Sequence, residues 1–314
     1  MTTIETPQTQ LPFTQRLTIA LGDIKLAHSV FALPFAILAA FLVAPRSAAD
    51  NSLLIGQLSG MLVLIIICMI FARTWAMLVN RVADAKLDAA NERTKNRAFA
   101  SGKLSLKDGY LMLSVSALGF IAAASCFGFF YTNWLPAILS IPVLIWIGFY
   151  SFTKRFTFLC HVFLGGALAA SPIAAAIAIN PSLLSSTPEI YTIAIMVLFW
   201  VAGFDIIYAL QDLDHDQSTN LNSIPAKFGW KRAIWIARAF HTIALAALVY
   251  AWSQSTQLTT LFAIATALTA ALLLYEHAIL AKRGKAGIPI AFFTLNGIIS
   301  LTIGALGSID IILF

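Results

Sequence analysis

Residues 54–88 decide the fold: LIGQLSGMLVLIIICMIFARTWAMLVN (54–80) runs directly into RVADAKLD (81–88). The first part carries one charged residue, Arg73. As a helix it is long enough to cross a hydrocarbon core of about 30 Å. The second part sets Asn80, Asp84 and Asp88 four residues apart. A continuous helix would line them along one face over about 12 Å. An apolar span that ends in spaced acids predicts a membrane helix with chemistry at its end.

The rest of the chain extends that reading. Of its 314 residues, 60% are hydrophobic and 11% are charged, and the mean hydropathy is +0.85. A soluble domain carries about 25% charged residues, so too little polar surface is left to cover a water-soluble globule. The apolar runs are continuous rather than alternating, which predicts an all-α integral membrane protein and excludes a barrel. About nine transmembrane helices are expected, at 24–44, 54–80, 108–130, 134–150, 160–180, 190–211, 233–252, 257–281 and 289–313. Pro45–Ser52, Tyr131–Asn133, Asn180-Pro181 and Gly284–Pro289 supply turns between them.

The net charge is +6, yet the basic residues form no stripe on a soluble domain and nucleic acid is not expected. All but Arg46 and Arg73 of the 20 Lys and Arg fall in alternate loops or at the N-terminus. That asymmetry predicts a multi-pass protein of the inner (cytoplasmic) membrane with its N-terminus in the cytoplasm and its C-terminus outside. Anionic lipid and phosphate are the partners it implies. The first 14 residues are polar and no cleavage pattern follows them. Cys68, Cys126 and Cys160 stand far apart in apolar surroundings and read as packing residues.

A second acidic cluster follows the sixth span: DIIYALQDLDHD (205–216). On a helix Asp205, Tyr208, Asp212 and Asp216 share a face, with Asp214 opposite and His215 off it. Asp205 lies in or near the membrane, where an ionisable side chain is costly and by default functional. Like charges four apart repel on a helix unless a cation sits between them. Mg²⁺ suits such oxygens, because it is held by one or two carboxylates together with substrate phosphates. Two acidic helix ends on one side of the membrane, both followed by basic loops, fit a metal-bridged diphosphate.

These clusters resemble the paired motifs NDxxDxxxD and DxxxD of the UbiA superfamily of intramembrane prenyltransferases. Arg93-Thr94-Lys95-Asn96-Arg97 with Ser101-Gly102, the Tyr150–Arg155 loop and Ser223–Gly229 resemble further family segments. The resemblance implies a short cytoplasmic segment at 1–23 and a single transmembrane prenyltransferase domain at 24–314. It implies Mg²⁺ held by Asn80, Asp84, Asp88, Asp212 and Asp216, gripping a polyprenyl diphosphate. Arg93, Arg97, Lys154 and Arg155 would add donors to the diphosphate. Tyr150 and Tyr208 would stabilise the allyl cation, and Asp205 would orient the aromatic acid acceptor or take its proton.

One position departs from the family pattern. Arg81 stands where the motif has its first acid. With Ile24–His28 and Phe31–Phe35, the Asn80-Arg81 form resembles a subgroup labelled 4-hydroxybenzoate polyprenyltransferases, some members of which serve the futalosine route to menaquinone. Two acceptors stay open, a 4-hydroxybenzoate type in respiratory quinone biosynthesis and a naphthoate. A cation-coupled transporter is the alternative from another class.

The remaining residues have plainer readings. His28, His161, His241 and His277 read as packed or interfacial, and Glu276 as paired with Lys or Arg at its helix end. Gly165-Gly166, Gly304 and Gly307 read as close helix contacts, and Trp134, Trp200, Trp230 and Trp252 as interfacial anchors. The topology is tested by reporters fused to each terminus. Activity on opposite sides of the membrane is expected, and a cytoplasmic C-terminus would contradict the count of nine.

Overall fold

The computed structural model describes residues 12–24, 30–47, 49 and 52–313. The described residues are helical apart from turns and one isolated bridge between Arg46 and Leu53. In chain order the helices are α1 (Phe13–Ile24), α2 (Leu33–Leu42), α3 (Ile55–Ala83), α4 (Ala85–Ala89), α5 (Leu106–Tyr131) and α6 (Leu135–Thr153). They continue as α7 (Cys160–Ile179), α8 (Glu189–Ala209), α9 (Leu213–Ser218), α10 (Ile224–Gln254), α11 (Thr260–Arg283) and α12 (Asn296–Leu313). Eight of the described helical segments are long and apolar enough to cross a membrane, and α2 is a shorter apolar helix. Together these match the nine runs expected. Lys25 and His28, in the first expected span, lie outside the described residues. The segment expected only as a tail is helical over α1, and Arg16 there pairs with Asp108.

Local sequence explains the boundaries. Ser105 caps α5 by accepting the Asp108 backbone N–H, while the Asp108 carboxylate accepts from the Ser105 N–H, which closes a capping box. α10 starts well before the expected residue 233, because its first turn, opened by Ser223 and Pro225, runs into a bend at Gly229. Gly229 has φ of 75°, a conformation glycine adopts without strain. An apolar-run reading sees only the second part of that helix. Before α12 the backbone widens into a π-helical turn at Ile290–Leu295, and Asn296 donates to the Ala291 carbonyl at 2.8 Å.

The core gathers around α8, which packs most extensively against α7 and α10. Trp200 is fully buried there and donates to Asn296 Oδ1 at 2.6 Å. It is thus a core residue and not the interfacial anchor its place near a span end predicted. Trp134 and Trp252 are exposed, as an interfacial role requires. The glycine reading holds: a Cβ at Gly165 would lie 2.2 Å from the Leu198 carbonyl oxygen, and one at Gly304 would lie 2.3 Å from Pro34 Cβ. Only glycine lets α7 approach α8, and α12 approach α2, this closely. Large apolar side chains such as Phe129, Ile138 and Leu274 point outward, the arrangement of a protein solvated by lipid.

Glu276 departs from its expected pairing. It is fully buried beside Asn296 and makes no ion pair with Lys282 or Arg283 among the described residues. Its carboxyl faces the bundle interior instead of the basic end of α11. His241 and His277, read separately from sequence, meet across α10 and α11 with Nδ1 and Nε2 3.1 Å apart.

Candidate active site

The two acidic segments do not form the unbroken helical faces expected from their spacing. α3 ends at Ala83, and Asp84 leaves helical geometry at φ −95° and ψ 3° before α4 begins. Asp212 does the same at φ −98° and ψ 7°, between a tight turn at Leu210–Asp212 and α9. Both kinks place an acid in the sparsely populated bridge region, where active-site residues recur. They turn the acids toward one another around a cavity of about 670 Å³. Asn80, Asp84, Asp88, Arg93, Arg97, Tyr150, Lys154, Asp205, Tyr208, Asp212 and Asp216 all line it. Arg155 reaches it through Asp84. His215 also lines it, contrary to its expected place off the acidic face, because the chain rewinds after Asp212. Asp214 points away, exposed, and pairs with Lys285 at 3.1 Å.

Inside the cavity every acid of the first cluster meets a base. Asp84, 2% exposed, takes Lys154 Nζ at 2.6 Å and Arg155 Nη2 at 2.8 Å. Asp88 accepts Arg97 Nη1 at 2.8 Å on each oxygen. Across the cavity, Arg93 grips Asp212 with two bonds of 2.8 and 2.5 Å, and Asn91 adds a third at 3.1 Å. Burial pulls the Arg93 pKa down, but its bonds to Asp212 outweigh that and hold it above the usual value. Arg93 also donates to the Tyr208 hydroxyl at 3.1 Å. Asp216 accepts from Ser223 Oγ at 3.0 Å. The bases expected on a diphosphate therefore stand on the acids expected to hold metal. Protein bases, and not a metal alone, thus stand as counter-charges to these acids.

The departure at position 81 has a structural account. Arg81 is buried, lies 3.5 Å from Asp23 of α1 and donates to Asn80 Oδ1 at 2.7 Å. Asn80 Nδ2 in turn donates to Asp84 at 3.2 Å. Both ends of the Asn80 amide are thus engaged, and its oxygen keeps one lone pair beyond the bond from Arg81. The carboxylates themselves fit Mg²⁺, which takes hard oxygens from few protein groups and completes its shell with phosphate and water. Among the described residues no group of three or more acids, His or Cys forms a ready cage.

Several site residues escaped sequence reading. Asp23 and Asn91 carried no motif, and Arg73 stood out only as an intramembrane charge. His161 was read as structural, yet its Nδ1 lies 2.7 Å from Asp205 Oδ2. Only spatial proximity across 44 residues reveals that pair. Beyond the polar cavity lies an apolar one of about 300 Å³, enclosed by residues of α2, α3, α5, α6 and α7. Arg73, Tyr150, Leu164 and Leu168 line both.

An integral membrane protein with charges gathered over an apolar chamber is the class this architecture defines. The chain belongs to the UbiA prenyltransferase family, whose family model matches residues 32–298. A 4-hydroxybenzoate octaprenyltransferase from Shewanella woodyi is 31% identical over 238 residues, covering 75% of this chain and 79% of that protein. The homologous enzyme of Shewanella sp. (strain W3-18-1) is 31% identical over 176 residues, and the match spans 56% of its length. Among solved structures, an apo UbiA homologue from Aeropyrum pernix K1 superposes with a TM-score of 0.77 at 29% identity, covering 91% of this chain and 98% of that one. A UbiA homologue from Archaeoglobus fulgidus bound to GPP and Mg²⁺ has a TM-score of 0.68 at 20% identity, covering 93% and 99%, a likeness of fold.

The ion pairs change what acid substitutions should do to stability. Removing repulsion between acids alone would leave folding unchanged or improved. Asp84→Asn instead leaves Lys154 and Arg155 facing each other without their counter-ion. The two bases are partly exposed, so the expected loss is about 1–3 kcal/mol, below that of a fully buried pair. Thermal unfolding in detergent measures it, with the exposed Asp214→Asn expected to match wild type. An Asp84→Asn protein as stable as wild type would contradict the pairing.

Proposed function

We propose that the chain transfers a polyprenyl group from a polyprenyl diphosphate to a hydroxylated aromatic acid of the 4-hydroxybenzoate type, with Mg²⁺, in respiratory quinone biosynthesis. The observation that carries this reading is the junction of the two cavities. A charged cavity beside an apolar one, with Arg73, Tyr150, Leu164 and Leu168 lining both, suits a substrate with a diphosphate head and a hydrocarbon tail. Asn80, Asp84, Asp88, Asp212 and Asp216 would hold Mg²⁺, which supplies Lewis-acid neutralisation of the diphosphate when bound. Arg93, Arg97, Lys154 and Arg155 already stand among these acids and would turn to the diphosphate oxygens. Arg offers paired donors there and Lys a point charge.

The reacting carbon would then lie near the junction. Tyr150 lines both cavities there and would face the allyl cation as its bond to diphosphate breaks. Tyr208 is held by Arg93 and by Phe292, with ring centroids 4.2 Å apart, and would flank the same space. Arg73 supports an acidic acceptor. It lines both cavities, and its buried Nε has no hydrogen-bond partner among the described residues, so a carboxylate there would satisfy it. Asp205 would orient the acceptor hydroxyl. The Asn80-Arg81 form favours a second reading, a hydroxylated naphthoate acceptor in menaquinone biosynthesis. The transporter alternative gives way to the family membership. The lipid-facing surface and the basic loops favour the inner membrane, with this cavity at the cytoplasmic side.

The test uses purified protein, labelled prenyl diphosphate and each acceptor. Turnover should need Mg²⁺ and stop in EDTA. At equal membrane expression, Asp→Asn at Asp84, Asp88, Asp212 or Asp216 should lower kcat/KM by about 100-fold or more. Asp214→Asn, which faces away, should stay within about 3-fold, as a distant surface change does. Full turnover in EDTA, or Asp214→Asn as damaging as Asp212→Asn, would contradict the proposal.

A further inference from the structure

The first turn of α10 reaches the site at two points. Its N-cap Ser223 accepts the Ala226 N–H and donates to Asp216. The next residue, Ile224, has a backbone N–H with no acceptor inside the helix, as first-turn amides do. That N–H points at His161 Nε2, 3.3 Å away. The opposite ring nitrogen, Nδ1, lies 2.7 Å from Asp205 Oδ2. The His161 side chain is 3% exposed and that of Asp205 is 22% exposed.

The chemistry of these three groups sets the tautomer. A peptide N–H only donates, so His161 Nε2 must offer its lone pair, and the proton sits on Nδ1. An imidazolium would set two N–H groups against each other at Nε2. With Nδ1–H donating, Asp205 Oδ2 is fixed as an acceptor, and the carboxylate keeps its other oxygen for the cavity that it lines.

We propose that His161 is a positioning residue: the α10 amide locks its tautomer, and its Nδ1–H aims the Asp205 carboxylate at the acceptor's hydroxyl. The inference rests on the reading of Asp205 given above. In the step it serves, the acceptor O–H proton passes to Asp205 as the C–O bond to diphosphate breaks, and the electron pair leaves with the diphosphate. The ring carbon forms the new C–C bond to the allyl carbon. The ring C–H proton then passes to diphosphate or water, Asp205 returns its proton to the oxygen, and the ring is aromatic again. His161 also lines the cavity, but both its nitrogens are already engaged, so it acts through Asp205.

Two measurements test this. The chain has five histidines, so ¹⁵N-histidine spectra of the full protein, compared with His161→Asn, isolate the His161 signals. A neutral ring with its proton on Nδ1 is expected at pH 7.5, and a proton on Nε2 or on both nitrogens would overturn the proposal whatever the acceptor. In kinetics, His161→Phe should lower kcat by about 10- to 100-fold, as loss of an orienting partner does. KM for the prenyl diphosphate should stay within about 3-fold, and His161→Asn, whose amide N–H replaces Nδ1–H, should recover most of kcat. In an Asp205→Asn background the same Phe substitution should cost less than about 3-fold. An undiminished loss in that background, or no recovery with Asn, would overturn the positioning role. Wild-type protein that prenylates neither acceptor would instead contradict the functional reading, and the His161 tautomer would still decide this inference.

Discussion

Buried charge at the end of a membrane bundle must be neutralised, and the arrangement of this site follows from that constraint. Isolated carboxylates in such a place cost several kcal/mol each, even after the protein relaxes around them. The cavity meets the cost by pairing Asp84 with Lys154 and Arg155, Asp88 with Arg97, and Asp212 with Arg93. These pairs bind the α3–α4 kink to the α6–α7 loop, and the loop after α4 to the end of α8. The same contacts that stabilise the bundle leave it holding, in one place, the acids a metal needs and the bases a diphosphate needs. A ligand carrying both charges can separate the pairs without leaving either partner bare.

The second constraint is the apolar chamber. It adjoins the charged cavity across Arg73, Tyr150, Leu164 and Leu168, so a polar headgroup and a hydrocarbon chain could be satisfied in neighbouring spaces. Small residues such as Ala72, Ala76, Ala167 and Ala174 leave that chamber open where larger ones would fill it. A bundle in lipid gains little from burying apolar surface between helices. Its helices associate by close packing instead, so the chamber's open space depends on those small lining residues.

Most of the fold was legible because bilayer thickness dictates the length of apolar runs, and α3, α5, α7 and α12 begin or end within a few residues of expectation. The start of α10 was not, because Gly229 leaves helical geometry and kinks the chain between a short first piece and the long apolar one. The acids of the site were legible from spacing alone, even though Asp84 and Asp212 break the helices that the spacing assumed. Their geometry survives because hydrogen bonds still run from the Asp84 N–H to the Asn80 carbonyl and from the Asp88 N–H to the Asp84 carbonyl. What sequence could not show was pairing at a distance. His161 with Asp205, Arg81 with Asp23, and Arg73 between two cavities carry no local signature, and a single histidine in an apolar run reads as packing. Glu276 misled for the same reason, since its surroundings come from α12 and not from its own helix.

We propose that the acid–base pairs open together around a metal-bound diphosphate. Calorimetry with a non-reactive prenyl S-thiolodiphosphate tests it without needing an acceptor. Tight binding is expected with Mg²⁺, affinity at least about 100-fold weaker in EDTA, and a comparable loss for Asp88→Asn with Mg²⁺ present. Equal affinity with and without Mg²⁺, unchanged by Asp88→Asn, would contradict it.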